Sequence, residues 1–145
     1  SEAILPGAPV PSNSVAFHFN NQLKSTGVVR LFGASHGVAA GEQRRDFIHV
    51  DDVVDQTLWF GSADGTAGIF NCGTGVAASF NDVARAVLAW HGHGTIEYIP
   101  FPDDLMGAYQ AHTLAVLERT RAAGYQRAMR PVQEGVRAYL DWLNG

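Results

Sequence analysis

The sequence is short of several things that would otherwise narrow its chemistry. It has one cysteine, Cys72, so no disulfide can close within it. That thiol sits in an apolar run and reads as a buried structural side chain rather than a nucleophile. There is one lysine, Lys24, against nine arginines; arginine is the better fork for phosphate or carboxylate, lysine the better proton carrier. Positive charge is not in excess. The net charge of −4 offers nothing general to nucleic acid or to an anionic membrane. No apolar run approaches the ~18 residues of a membrane helix, and no basic segment precedes an apolar leader core; a cytoplasmic protein is expected. A G-x-S-x-G elbow, an H-E-x-x-H pair and a paired-cysteine pattern are all missing, which leaves nucleophilic hydrolysis and a zinc centre without support.

What is present is an ordinary globular composition. Apolar residues make up 46% and charged residues 17% of 145, enough for one domain with its own core. Residues 1–11, with three prolines and a glycine, read as an irregular lead-in. Ser12 or Asn13 is placed to cap a helix to about Ser25, striped by Val15, Phe19 and Leu23 and stopped by Gly27. Val28–Phe32 is a β-branched strand. A glycine-rich loop over 33–44 follows, flexible and long enough to suggest function. Asp46–Val50 reads as a second strand, and Asp51 or Asp52 as the cap of a helix through about Phe60.

Gly68–Cys72 reads as a buried strand and Gly73-Thr74-Gly75 as a turn. Ser79 and Asp82 form a capping box for a helix lined by Val83, Val87 and Trp90. Ile96–Ile99 is another strand. Thr113 is expected to open a helix to about Ala123. Pro131 suits the first turn of a last helix, with Val132, Val136, Leu140 and Leu143 on its buried face. Alternating strands and helices argue for an α/β fold.

Three stretches invite a chemical reading. Gly73-Thr74-Gly75-Val76-Ala77-Ala78 satisfies G-x-G-x-x-A between a strand and a helix, where glycine amides can approach a pyrophosphate. Only Glu97 is spaced to hold a ribose, and the alternative, a plain tight turn, is preferred because so short a match is unspecific. His91 and His93 in HGHG are better explained as a helix end, where histidine favours the dipole, than as metal ligands. Arg45, at a strand start below the glycine-rich loop, can present its planar fork to a diphosphate; the plainer alternative is a surface arginine paired with Asp46 or Glu42. The double carboxylate Asp51-Asp52 reads as a helix cap, not a catalytic pair.

RRDFIHVDDVV, GIFNCGTG and SFNDVARAVL together resemble the C-terminal half of the extended short-chain dehydrogenase/reductase family. SVAFHFNNQL, RLFG-S, IEYIPFPDDLMGAYQAHT and RAAGY sharpen this to members that invert one carbon of an ADP-bound heptose. The resemblance covers about residues 12–144. It implies an α/β fold, the C-terminal substrate-binding portion of such an enzyme with an incomplete Rossmann domain. It divides the chain into a lead-in at 1–11, which does not match, and a substrate-binding domain at 12–145 carrying elements that complete the sheet.

It further implies an ADP-sugar as ligand, NADP as the family's cofactor, C6 of the heptose as the inverted centre, lipopolysaccharide inner-core synthesis as the setting, and a ring-like homo-oligomer, a pentamer in the family. Carried over position by position, His18 and Tyr109 match substrate-contacting residues. Phe32, Gly33, Ala34 and Ser35 match the segment along the ADP-sugar, and Arg45 matches the arginine on the diphosphate.

The sequence departs from that family in the parts that do the chemistry. The N-terminal strand with G-x-x-G-x-x-G, which binds NADP, has no counterpart, and neither does Tyr-x-x-x-Lys: the residue four before Lys24 is Asn20. A second family lysine, before the first helix, is replaced by GAPVPSN. Hydride transfer from an alcohol needs a base for the hydroxyl proton. The chain is therefore expected to bind substrate without catalytic residues or cofactor site of its own, as a truncated piece of such an enzyme. A non-catalytic oligomerisation module and a fragment acting on another nucleotide sugar are the alternatives.

Overall fold

The computed structural model describes residues 14–64, 66–107 and 109–145. The lead-in at 1–11 and the candidate caps Ser12 and Asn13 lie outside the described residues.

Helix α1 runs Val15–Thr26; Ser14 caps it, its side chain accepting from the Phe17 N–H, and Gly27 ends it. Strand β1, Val28–Phe32, follows at once, and Val29 and Leu31 bury one of its faces. β1 pairs in parallel with β4, Thr95–Ile99, in the register Val28 to Thr95 through Phe32 to Ile99. Parallel strands need a long crossover, and here it holds β2 (Arg44–Arg45), α2 (Val50–Ser62), β3 (Ala78–Ser79) and α3 (Phe80–His91). Beyond β4 come a 3₁₀ turn at Asp103–Leu105, α4 at Glu118–Ala122 and α5 at Val132–Asn144.

The core lies where α1 and α3 cover the β1 side and α5 packs on α3. Phe19, Leu23, Val29, Leu31, Val83, Val87, Val136 and Leu140 fill it. Burying a side chain of this size contributes about 1.5–3 kcal/mol, so the helical stripes read from the sequence supply most of the cohesion. The Ser79–Asp82 capping box forms as expected, each residue satisfying the other's backbone N–H.

Four expectations are corrected, all for one kind of reason: a distant group satisfies a backbone or side chain that local pattern assigned to something else. The second strand stops at Arg45, because Asp46 turns its carboxylate onto the 74–75 turn instead of extending a ladder. Helix α2 is capped by His49, whose Nδ1 accepts from the Asp51 N–H at 3.2 Å. Asp51 and Asp52 lie inside the first turn, and Asp52 instead receives the Arg130 backbone N–H at 2.9 Å and its guanidinium at 2.6 Å. Thr113 opens no helix, since its N–H donates to Arg44 O at 3.1 Å and residues 111–113 run parallel beside Arg44.

The last correction is Gly68–Cys72, which is neither a strand nor buried. Ile69 is 84% exposed and Cys72 is exposed; Asn71 O is taken by the side chains of Gln56 and Thr120. The Cys72 thiol is pushed above its ordinary value, first by burial of its surroundings and then by Asp46 and Asp52, so it remains a poor nucleophile near neutral pH.

Candidate functional site

Ligands of parallel α/β folds sit beyond the carboxyl ends of the strands. Here β1 and β4 end side by side at Phe32 and Ile99, and the two loops that leave them meet. Gly33 N–H donates to Ile99 O at 2.7 Å, an approach so close that a Cβ on Gly33 would stand 3.2 Å from that oxygen. Four rings collect on the junction: Phe32, His36, Phe101 and Tyr109. Phe101 lies edge-on to Phe32 at 5.1 Å and to Tyr109 at 4.9 Å. His36 holds a left-handed φ of 54° and its Nε2 is 2.6 Å from Met106 O, latching one loop to the other.

The glycine-rich loop is pinned rather than free. Gln43, 1% exposed, donates to Gly33 O at 3.1 Å and to Ser35 Oγ at 3.0 Å. Asn81, 3% exposed, donates to Ala40 O and Glu42 and accepts from the Tyr98 hydroxyl at 2.8 Å. Gly41 passes so near Asn81 that an added Cβ would lie 2.2 Å from Asn81 Oδ1. Two buried amides, each with several partners, hold a loop whose composition alone suggests mobility.

Arg45 stands at the centre. Its backbone is fixed on one side by β3, antiparallel in the register Arg45 to Ala78. On the other side lies segment 111–113, through Arg44. The guanidinium carbon lies 4.9 Å from the Tyr109 ring and 5.7 Å from the Phe80 ring, a cation–π arrangement that holds a planar fork in place. Neither carboxylate that could have neutralised it does so. Glu42 pairs with Arg44 at 3.6 Å, and Asp46 is turned away. Among the described residues the Arg45 guanidinium makes one hydrogen bond, to Arg44 O at 2.8 Å, which leaves the rest of its fork for an anion. Burial pushes the Tyr109 hydroxyl upward against the opposing pull of Arg45, so Tyr109 keeps its proton at neutral pH.

Phe32, Gly33, Ala34, Ser35, Arg45 and Tyr109 are thus brought to one place. Ala34 is exposed there, whereas Ser35 is buried with its hydroxyl on Gln43. His18 lies exposed on the first turn of α1, edge-on to Phe17, outside the four-ring cluster. Sequence reasoning missed His36, Phe101, Phe80, Gln43 and Asn81. Their roles depend on which loops meet, and no local spacing encodes that.

The G-x-G-x-x-A turn is already occupied by the chain's own anion. Asp46 accepts from Thr74 N–H at 2.9 Å, Thr74 Oγ at 2.5 Å, Gly75 N–H at 3.0 Å and Ala115 N–H at 3.2 Å. A Cβ on Gly73 would stand 2.4 Å from Ala115 Cβ; glycine is there to let two segments touch, not to admit a pyrophosphate. Glu97, the residue spaced to hold a ribose, pairs across the strands with Arg30 at 3.3 Å. The starts of α1, α2 and α3 are capped by Ser14, His49 and Ser79. The G-x-G-x-x-A turn therefore does not fit a dinucleotide cradle.

HGHG is a helix end, though not through charge. His91 Nε2 lies 2.8 Å from Asn20 Oδ1, and its pKa is lowered by burial, then by His93 and Lys24, so it supplies no cation to the dipole near neutral pH. Lys24 bonds Asn144 Oδ1 at 3.3 Å. Among the described residues there is no grouping of His, Cys, Asp or Glu that could hold a metal, and no helix long and apolar enough to cross a membrane.

The family described as the NAD dependent epimerase/dehydratase family matches residues 5–73. An ADP-L-glycero-D-manno-heptose-6-epimerase of Alkalilimnicola ehrlichii is 53% identical over 128 residues, which are 88% of this chain. The crystal structure of the Helicobacter pylori ADP-L-glycero-D-manno-heptose-6-epimerase superposes with a TM-score of 0.76 at 23% identity over 94% of this chain. This is the NAD-dependent epimerase/dehydratase fold, in part.

The same partial fold recurs in the Thermus thermophilus UDP-glucose 4-epimerase, solved in complex with NAD, with a TM-score of 0.72 and 21% identity over 95% of this chain. The chain spans 40% of the length of the Alkalilimnicola relative, 39% of the Helicobacter chain and 42% of the Thermus chain. The resemblance to ADP-heptose epimerases read from the sequence is met by the Alkalilimnicola relative, and the solved structures share the fold.

Proposed function

We propose that this chain is the ADP-sugar-binding part of an ADP-L-glycero-D-manno-heptose 6-epimerase serving lipopolysaccharide inner-core synthesis. Arg45 grips the diphosphate, and the strand-end rings wall the site. One observation carries the reading. Arg45 is held between Tyr109 and Phe80 at the carboxyl ends of the strands, with no carboxylate among the described residues against it, in a chain 53% identical to an enzyme of that name. An uncompensated guanidinium on a rigid support suits a diphosphate, whose two phosphoryl groups present paired anionic oxygens. Phe32, Gly33 and Ala34 border the site, and His18 extends it from α1. NADP serves the reaction from a site that the described residues do not build.

The chain's own residues bind and orient the substrate; they do not move its proton. Tyr109 holds its hydroxyl proton, and Lys24 lies at the far end of α1 on Asn144. The chain by itself is expected to give no epimerase turnover with added NADP, and clear turnover would end this part of the proposal.

The binding part is tested by calorimetry with ADP and ADP-sugars. Arg45→Ala should weaken ADP binding about 10–100-fold, the loss expected for a charge-assisted bidentate contact, with unchanged circular dichroism. Equal binding by both chains would refute the assignment of Arg45.

A further inference from the structure

His36 stands where the backbone asks for a different residue. Ser35 and Val38 exchange both backbone hydrogen bonds, at 3.0 and 2.8 Å, so His36 and Gly37 are the central pair of a hairpin turn. Both have positive φ, 54° and 73°. That is the pattern of a type I′ turn, which favours Asn-Gly, Asp-Gly or Gly-Gly. His36 is the one non-glycine residue with such a φ among the described residues. Asparagine would serve the turn better, so the imidazole is there for what it meets. Its Nε2 lies 2.6 Å from Met106 O; a carbonyl only accepts, so Nε2 carries the proton. The ring lies 6.0 Å from the Tyr109 ring, tilted by 32°, and edge-on to Phe101 at 5.5 Å.

Residues 101–109 have little else to fix them. Their backbone bonds are local: Leu105 N–H to Pro102 O, Met106 N–H to Asp103 O and Tyr109 N–H to Leu105 O. Among the described residues, the bond from His36 to Met106 O is the one hydrogen bond that ties 101–109 to another part of the chain. Tyr109 ends that segment, with its ring 4.9 Å from the Arg45 guanidinium carbon. The order in space is therefore His36, Tyr109, Arg45, anchored at Met106. Resting on the ADP-sugar reading above, we propose that His36 is a positioning residue for the diphosphate. Its Nε2–H, presented by the turn, fixes 101–109 so that Tyr109 is set against Arg45 before an anion arrives. A fork oriented in advance loses less freedom on binding. His36 acts through Tyr109 and does not itself meet the ligand.

The test separates the turn from the bond. Asparagine adopts a left-handed φ readily, but its amide nitrogen falls one bond short of where histidine carries Nε2; glutamine carries its own at the matching position. ADP affinity by calorimetry should fall about 3–10-fold in His36→Asn, the net worth of one hydrogen bond, and recover most of that in His36→Gln. His36→Gly, equally at ease at that φ, should repeat the loss, with urea unfolding showing each variant folded. Without any ADP, the nuclear Overhauser contact between the Tyr109 ring and the Arg45 side chain should be present in the native chain and in His36→Gln, and lost in His36→Asn. In a Tyr109→Leu background, His36→Asn should change the affinity no further. Native affinity in His36→Asn overturns the proposal, as does an equal loss in His36→Gln, or an Overhauser contact that survives in His36→Asn. A full further loss in the Tyr109→Leu background also overturns it, since His36 would then meet ADP directly; where that background binds too weakly to measure, the Overhauser contact decides. Arg45→Ala that binds ADP like the native chain removes the ADP reading itself. His36→Asn that binds like the native chain, while Arg45→Ala does not, removes this inference alone.

Discussion

Replacing Asp46 with asparagine keeps shape and removes charge, and the structure says what that does. The carboxylate accepts four donors, two on each oxygen: Thr74 N–H and Oγ on Oδ1, Gly75 N–H and Ala115 N–H on Oδ2. An amide has one acceptor and one donor end. Whichever way it is flipped, two of the four protein donors face an NH₂ group. Losing two acceptor bonds costs about 1–1.5 kcal/mol each, and the two that remain weaken from charge-assisted to neutral by a few tenths to 1 kcal/mol each. Partial solvent access lets water repair some of this, so the net expectation is about 2–3 kcal/mol. Urea unfolding of Asp46→Asn should show that loss at an unchanged slope with denaturant. Because Asp46 adjoins Arg45 and ties down segment 113–117, ADP affinity should fall with it. A change under 0.5 kcal/mol would mean that solvent already serves the 73–75 turn and that Asp46 is not what closes it.

Two further outcomes follow from the same geometry. Gly41→Ala would drive a Cβ to 2.2 Å from Asn81 Oδ1 at a residue with φ of 71°. It should destabilise the chain by about 2 kcal/mol or more and weaken ADP binding, measured by denaturation and calorimetry; unchanged binding would show that the pinned loop does not shape the site. The Tyr125 hydroxyl is pushed up to about 12 by burial and by its bond to Asp55, whereas an unfolded tyrosine titrates near 10. Its contribution is therefore complete below about pH 10 and is lost as pH rises through about 12. Thermal melts across that window should fall more steeply for the native chain than for Tyr125→Phe, and equal slopes would refute the assignment.

The family match and the fold were legible in the chain because they rest on local signals. Stripes at four-residue spacing set α1, α3 and α5; Ser79 and Asp82 set a cap that forms as written; β-branched residues set β1 and β4. The resemblance was carried by runs such as RRDFIHVDDVV that stay contiguous. Misreadings fell where contiguity fails. Asp46 looked like the first residue of a strand until Thr74, Gly75 and Ala115 took its carboxylate. Asp51 and Asp52 looked like caps, while His49, just ahead of the helix, had the geometry, and Arg130, far along the chain, took Asp52. Gly68–Cys72 was read as interior from its composition. Composition records what a segment must meet, not whether the meeting partner is present among these residues.

The sequence by itself determined α1, α3 and α5, the strands β1 and β4, the family resemblance and Arg45 as the phosphate-facing candidate. The helices and strands follow from side-chain type at short spacing, and the resemblance, with the Arg45 reading it supports, from contiguous runs such as RRDFIHVDDVV. The tertiary structure decided what those residues do. It gave Glu42 to Arg44 and Asp46 to the 73–75 turn, leaving Arg45 uncompensated between two rings. It pinned a glycine-rich loop with two buried amides, and it closed the one glycine motif that could have been mistaken for a cofactor site. Hydrogen bonds and charges are allotted by distance in space; a sequence names the groups, and only the fold assigns their partners.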